Sequence, residues 1–113
     1  MPLPATDVRI ILTTAGSREE AERIARSLVG DHLAACVNIV PGLTSIYRWQ
    51  GKVEAAVEIL LLIKTTAACL DQVEDAIRNL HSYEVPEFLV LTPESAGQPY
   101  LDWLLQSTGP SHQ

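Results

Sequence analysis

The sequence predicts an α+β fold of strand and helix order βαββαβ, with one further helix at its C-terminal end. Three features carry this. From Lys52 to Lys64 apolar residues recur at period two, so that Val53, Ala55, Val57, Ile59, Leu61 and Ile63 share one face of a strand. The segment before it, from Leu33 to Trp49, is equally apolar, and the junction Trp49-Gln50-Gly51-Lys52 contains a glycine able to take the positive φ of a tight hairpin turn. On either side of this central hairpin stands a segment of helical spacing together with a strand-like run. A hairpin between two strand and helix units is the split βαβ, or ferredoxin-like, arrangement: an antiparallel sheet with helices on one face.

Taken in order, Met1 to Thr6 carry two prolines and form a loose lead-in. Val8 to Thr13 is β-branched and ends at the Thr14-Ala15-Gly16 break, which marks the first strand. Ser17-Arg18-Glu19-Glu20 has the form of a capping box, with the Ser17 hydroxyl accepting from the Glu20 amide and the Glu20 side chain reaching back. The helix it opens has Ala21, Ile24, Ala25, Leu28 and Val29 on its apolar face, Glu19–Arg23 and Glu22–Arg26 as surface pairs, and Gly30 as its stop. Strand two, Leu33 to Val40, breaks at Pro41-Gly42, and an extended piece from Thr44 to Trp49 leads into the turn. Strand three runs from Lys52 to Lys64. Thr65 or Thr66 caps a second helix that keeps helical spacing through Leu70, Val73, Ile77 and Leu80 as far as His81. After the loop Ser82–Pro86, strand four occupies Glu87 to Thr92, a short helix spans Gln98 to Gln106, and the polar tail from Ser107 frays.

The whole chain, residues 1–113, reads as a single domain with an ordered core from 7 to 107. Eight Lys and Arg against fourteen Asp and Glu leave a formal charge of -6 and no basic cluster, which sets nucleic acid aside as a partner. The N-terminal residues lack the pattern of a signal peptide, and the longest aliphatic run, Ile59 to Ile63, is too short to span a bilayer. Cytoplasm is the expected compartment, with no membrane partner. Cys36 and Cys69 are too few for a disulfide framework and read as reduced, buried thiols.

The second strand face, Glu54, Ala56, Glu58, Leu60, Leu62 and Lys64, turns from polar to apolar along its length. Helices on one side of the sheet leave the other side uncovered. An apolar surface there predicts burial against further copies of the chain.

No catalytic signature is present: no G-x-S-x-G, no Gly-rich phosphate loop, no H-E-x-x-H. The chain is therefore read as no enzyme. The polar constellation is His81-Ser82-Tyr83-Glu84-Val85-Pro86-Glu87, in a loop between helix and strand. An imidazole with one or two carboxylates can hold a divalent transition ion, which makes His81, Glu84 and Glu87 candidate metal ligands. Structural roles stand beside this for each: a helix-terminal histidine suited to the macrodipole, a solvated loop carboxylate, and a strand-end or intersubunit ion pair. Tyr47, Arg48 and Trp49 near the turn offer a stacking platform or, equally, anchors for an interface.

Ala34-Ala35-Cys36-Val37-Asn38-Ile39 with Pro41-Gly42, Ser45-Ile46-Tyr47-Arg48-Trp49-Gln50-Gly51-Lys52, Glu58, Lys64-Thr65, His81 to Glu87 and Tyr100-Leu101 with Trp103 closely resemble, in this order, the CutA family of divalent-cation tolerance proteins. The resemblance covers nearly the whole chain. It implies a ferredoxin-like subunit assembled as a homotrimer similar to that of the PII signalling proteins. It further implies a role in tolerance of copper or other divalent cations, zinc among them, with no organic cofactor. Of the family's functional residues, His81, Glu84 and Glu87 carry over as candidate ligands. Ser82 stands where members typically have proline. Thr13 stands where some bacterial members place a cysteine ligand, and without that thiolate the donor set suits ions harder than Cu(I). A PII-like trimer implies a second possibility, a small molecule or a partner's loop held in intersubunit clefts lined by Tyr47, Trp49, Glu58, Lys64 and Tyr83.

Overall fold

The computed structural model describes residues 2–4 and 7–109, the first three by their backbone alone. In chain order the elements are β1 (Pro2–Pro4), β2 (Val8–Ala15), α1 (Arg18–Gly30), β3 (Cys36–Trp49), β4 (Lys52–Thr66), α2 (Leu70–Leu80), β5 (Leu89–Leu91), β6 (Ser95–Gly97) and α3 (Gln98–Gln106), with a 3₁₀ turn at Ala67–Cys69 leading into α2. One antiparallel sheet has the order β3-β4-β2-β5, and β1 pairs separately with β6. The first sheet, with α1 and α2, is the predicted ferredoxin-like arrangement.

Period-two and period-3.6 patterns meet in the core. Ile11 and Ala15 of β2 and Leu61 and Ile63 of β4 point to the same sheet face, where Ile24 and Leu28 of α1 and Val73 and Ile77 of α2 cover them completely. Each such aliphatic side chain contributes about 1.5–3 kcal/mol by leaving water. The opposite face is covered only at one end, where Leu101 and Leu104 of α3 pack with Val8 and Ala35. Beyond α3 this face leaves Leu89 and Leu91 of β5 exposed, and past the end of β2 the hairpin bares Ile46, Val53 and Val57 on the core-side face, Val57 at 74 %.

The hairpin is longer and more continuous than its sequence suggests. Pro41-Gly42 does not end the strand; it forms a bulge, because the register advances from Val40 opposite Leu60 to Leu43 opposite Glu58, one extra residue on β3. Gly42 takes φ +81 there. The extra residue reverses the parity of everything beyond it. Cys36, Asn38 and Val40 share a face with Lys64, Leu62 and Leu60, whereas past the bulge Leu43, Ser45, Tyr47 and Trp49 share that face with Glu58.

Other boundaries differ for local reasons. Thr65 does not cap α2; its hydroxyl donates to the Leu33 carbonyl at 2.5 Å, and Thr66 stands at the start of the 3₁₀ turn without a side-chain cap bond. Helix α2 ends at Leu80, so His81 already belongs to the loop, and the last sheet strand is trimmed to Leu89–Leu91. Surface pairing on α1 centres on Glu22, 3.7 Å from Arg18 and 3.8 Å from Arg26, while Glu19 and Arg23 form no ion pair among those described. Far from fraying at Ser107, the chain is tied down by the Gly109 amide donating to the His32 carbonyl at 2.8 Å. Of the lead-in, Pro2–Pro4 pairs with Ser95–Gly97; Met1, Ala5 and Thr6, like 110–113, lie outside the described residues.

The turn itself has φ 50 at Gln50 and φ 80 at Gly51. Two successive positive φ values define the type I′ turn, whose twist matches that of the strands it joins. Replacing Gly51→Ala places a Cβ in this left-handed conformation and is expected to destabilise the protein by about 1 kcal/mol. Urea denaturation checks this through a lower midpoint at an unchanged slope.

Candidate functional site

Strand β2 ends where Ala15 pairs with Ile59, yet the hairpin continues past it, so Lys52 to Glu58 project without a β2 partner. The loop after α2 crosses this notch. Between loop and hairpin lies an open cleft of about 650 Å³. Ser45, Ile46, Tyr47, Trp49 and Glu58 line it from the hairpin, Thr14 from β2, and Tyr83 to Glu87 from the loop. Tyr47 and Trp49 join Glu58 on one face only because of the bulge at Pro41-Gly42.

A chain of polar contacts fixes the loop. The Glu20 carboxylate, on a residue only 5 % exposed, accepts from the Ser82 amide at 2.6 Å and from the Ser82 hydroxyl at 3.0 Å. His81, its side chain fully buried, accepts at Nδ1 from the Tyr83 amide at 3.0 Å, which leaves the ring proton on Nε2 to be donated to the Thr14 carbonyl at 2.6 Å. The rings of His81 and Tyr83 lie 4.6 Å apart. Tyr83 then reaches across the end of β2 and donates its hydroxyl to Glu58 Oε2 at 2.7 Å. Loop, helix α1, strand β2 and strand β4 are thereby joined.

These contacts sort the residues expected to act. Tyr47, Trp49, Glu58 and Tyr83 line one cleft, with Glu84 and Glu87 beside them. Lys64 does not; it lies far along β4, with its ammonium group 5.6 Å from the Tyr100 ring centroid. His81 stands behind the loop with both ring nitrogens engaged, so ligation of a metal would require breaking one of its two bonds. No group of three His, Cys, Asp or Glu side chains among the described residues is placed to hold an ion. Thr13 is fully buried within the fold, and its hydroxyl has no hydrogen-bond partner among the described residues.

Glu20 is the residue that the capping-box reading misassigned. Ser17 does accept from the Glu20 amide, at 3.2 Å, but the Glu20 side chain turns inward to Ser82 and does not return to the cap. A signal was available in the spacing. Residues 20, 24 and 28 recur at four, so Glu20 lies in line with Ile24 and Leu28 on the core face, where a carboxylate must find donors.

Burial first, then the hydrogen bond and negative charge of Glu58, push the Tyr83 phenol up from 10.0 to about 12. A raised value means the folded state favours the neutral phenol. The corresponding stabilisation is complete below pH 10.0 and is lost as pH rises through about 12. Ultraviolet titration of phenolate absorbance should show one tyrosine ionising near pH 12, absent in Tyr83→Phe and shifted down in Glu58→Gln. Three tyrosines titrating together at the ordinary value would contradict the Tyr83–Glu58 bond.

Residues 9–107 match the family described as CutA1 divalent ion tolerance protein. The chain is 50% identical over 100 residues to the divalent-cation tolerance protein CutA of Thermus thermophilus, covering 88% of this chain and 97% of that one. It is 40% identical to human protein CutA over 95% of its own length, and spans 65% of that longer protein. The solved Thermus thermophilus structure superposes with a TM-score of 0.89 at 49% identity over 90% of this chain and 99% of that chain. CutA from Synechococcus elongatus superposes with a TM-score of 0.91 at 38% identity over 96% of each. With a family model matched over residues 9–107, half of its residues shared with a CutA protein and the fold shared with solved CutA structures, this chain belongs to the CutA1 divalent ion tolerance family.

Proposed function

We propose that the chain serves in divalent-cation tolerance as a non-catalytic, cytoplasmic homotrimer. The observation that carries this reading is the 50% identity, across nearly all of both chains, to a protein named for divalent-cation tolerance. Assembly is supported by the apolar residues that the subunit leaves uncovered: Leu89 and Leu91 on β5, and Ile46, Val53 and Val57 on the hairpin. A projecting hairpin with bare aliphatic side chains is stable in water when another copy covers it. Cys36 and Cys69 are free thiols, which suits a reducing compartment.

For the cation itself the available donors are carboxylate oxygens. Glu84 and Glu87 face the cleft, and His81 joins them only by releasing the Tyr83 amide. Such a set favours Cu²⁺, Zn²⁺ or harder ions over Cu(I). A second reading, a PII-like regulatory trimer that holds a small molecule, is favoured by one feature: a cleft of about 650 Å³ lies within the usual size range of ligand pockets.

Sedimentation equilibrium is expected to give three times the 12.4 kDa chain mass, and Val57→Lys to shift the protein toward monomer. A wild-type monomer would remove the assembly. Calorimetric titration of metal-stripped protein with Cu²⁺ and Zn²⁺ should show saturable binding that weakens in Glu87→Gln. Binding that is absent, or indifferent to Glu87, would refute the proposed ligand set.

A further inference from the structure

We propose that the cleft binds a small organic ammonium ion, its charged head on the Glu58 carboxylate and its hydrocarbon against Tyr47 and Trp49. The proposal deepens the second reading, that the cleft is a ligand site, by naming the ligand's chemistry.

Charge comes first. Glu58, Glu84 and Glu87 line the cleft, and no Lys, Arg or His side chain does. None of the three enters an ion pair among the described residues. Glu58 is only 8 % exposed, and its one hydrogen-bond partner among the described residues is the neutral Tyr83 hydroxyl at 2.7 Å. A carboxylate drawn so far from water, with one neutral donor, calls for a cation.

The walls decide which kind of cation. Tyr47 and Trp49 are half exposed on the same face as Glu58. Aromatic faces attract cations through the ring quadrupole, Trp most strongly, and give apolar contact to the methylenes that a metal ion lacks. At Glu58 itself a metal ion would meet one carboxylate and the aromatic faces of Tyr47 and Trp49, whereas an organic ammonium uses both. At about 650 Å³ the space suits a molecule of several carbons. Glu84 and Glu87, on the loop side, can receive a second ammonium group at the far end of such a molecule.

The test uses the full chain in its solution assembly, with Trp103→Phe leaving Trp49 as the single fluorescent indole. Trp49 fluorescence and calorimetry follow titration with n-butylammonium and 1,4-diaminobutane, against 1-butanol and butyrate as neutral and anionic counterparts. Both amines are expected to saturate, the diamine at lower concentration, and the alcohol and acid are expected not to bind. Glu58→Gln, which keeps an acceptor for Tyr83, should weaken the amines by about tenfold or more, and Trp49→Leu, read by calorimetry, should weaken them as well. Thermal melting and sedimentation confirm that each variant keeps its fold and assembly. If the alcohol or the acid binds as well as the amines, or if Glu58→Gln changes nothing, the ammonium assignment fails while the cleft stands as a ligand site. If no compound binds, because a second copy fills the cleft, both readings fail.

Discussion

Two hydrogen bonds from Ser82 to the buried carboxylate of Glu20 hold in place the loop that walls the candidate cleft. Glu20 sits in the first turn of α1, so its position is fixed by the packing of Ile24 and Leu28 one and two turns later. A carboxylate at that depth is tolerated only with donors, and the loop supplies them. Once Ser82 is fixed, His81 is buried against the Thr14 carbonyl, the Tyr83 amide is held by the imidazole, and the Tyr83 hydroxyl meets Glu58. Removing the carboxylate would break both charge-assisted bonds at once, at a cost of about 3 kcal/mol.

Where the pattern is periodic, the sequence spoke clearly. The hairpin, both long helices and the apolar second sheet face follow from spacings of two and of three to four residues. What it hid were matters of parity and of partner. Pro41-Gly42 carries the same composition whether it ends a strand or bulges one, and only the pairing of Val40 with Leu60 and of Leu43 with Glu58 shows which. That single inserted residue decides that Tyr47 and Trp49, and not Arg48, stand beside Glu58. Glu20 fits both a local cap and a distant loop, and the choice depends on a contact across 62 positions of sequence. His81 illustrates the converse: an imidazole of the type that serves a metal site has both ring nitrogens engaged in hydrogen bonds.

The projecting hairpin links the site to assembly. One of its faces presents Tyr47, Trp49 and Glu58 to the cleft, and the other presents Val53 and Val57 together with Ile46, which reaches the edge of the cleft. In the proposed trimer a neighbouring copy covers the aliphatic face and thereby fixes the angle at which the aromatic face meets the loop.

The most direct test of the loop's dependence on Glu20 is amide hydrogen exchange, resolved by residue, in the native protein and in Glu20→Ala. The Ser82 and Tyr83 amides should exchange as slowly as those of β2 and α1 in the native protein, and as fast as an open loop once the carboxylate is gone. Rapid exchange of both amides in the native protein, or slow exchange that survives the loss of Glu20, would contradict the role given to this residue.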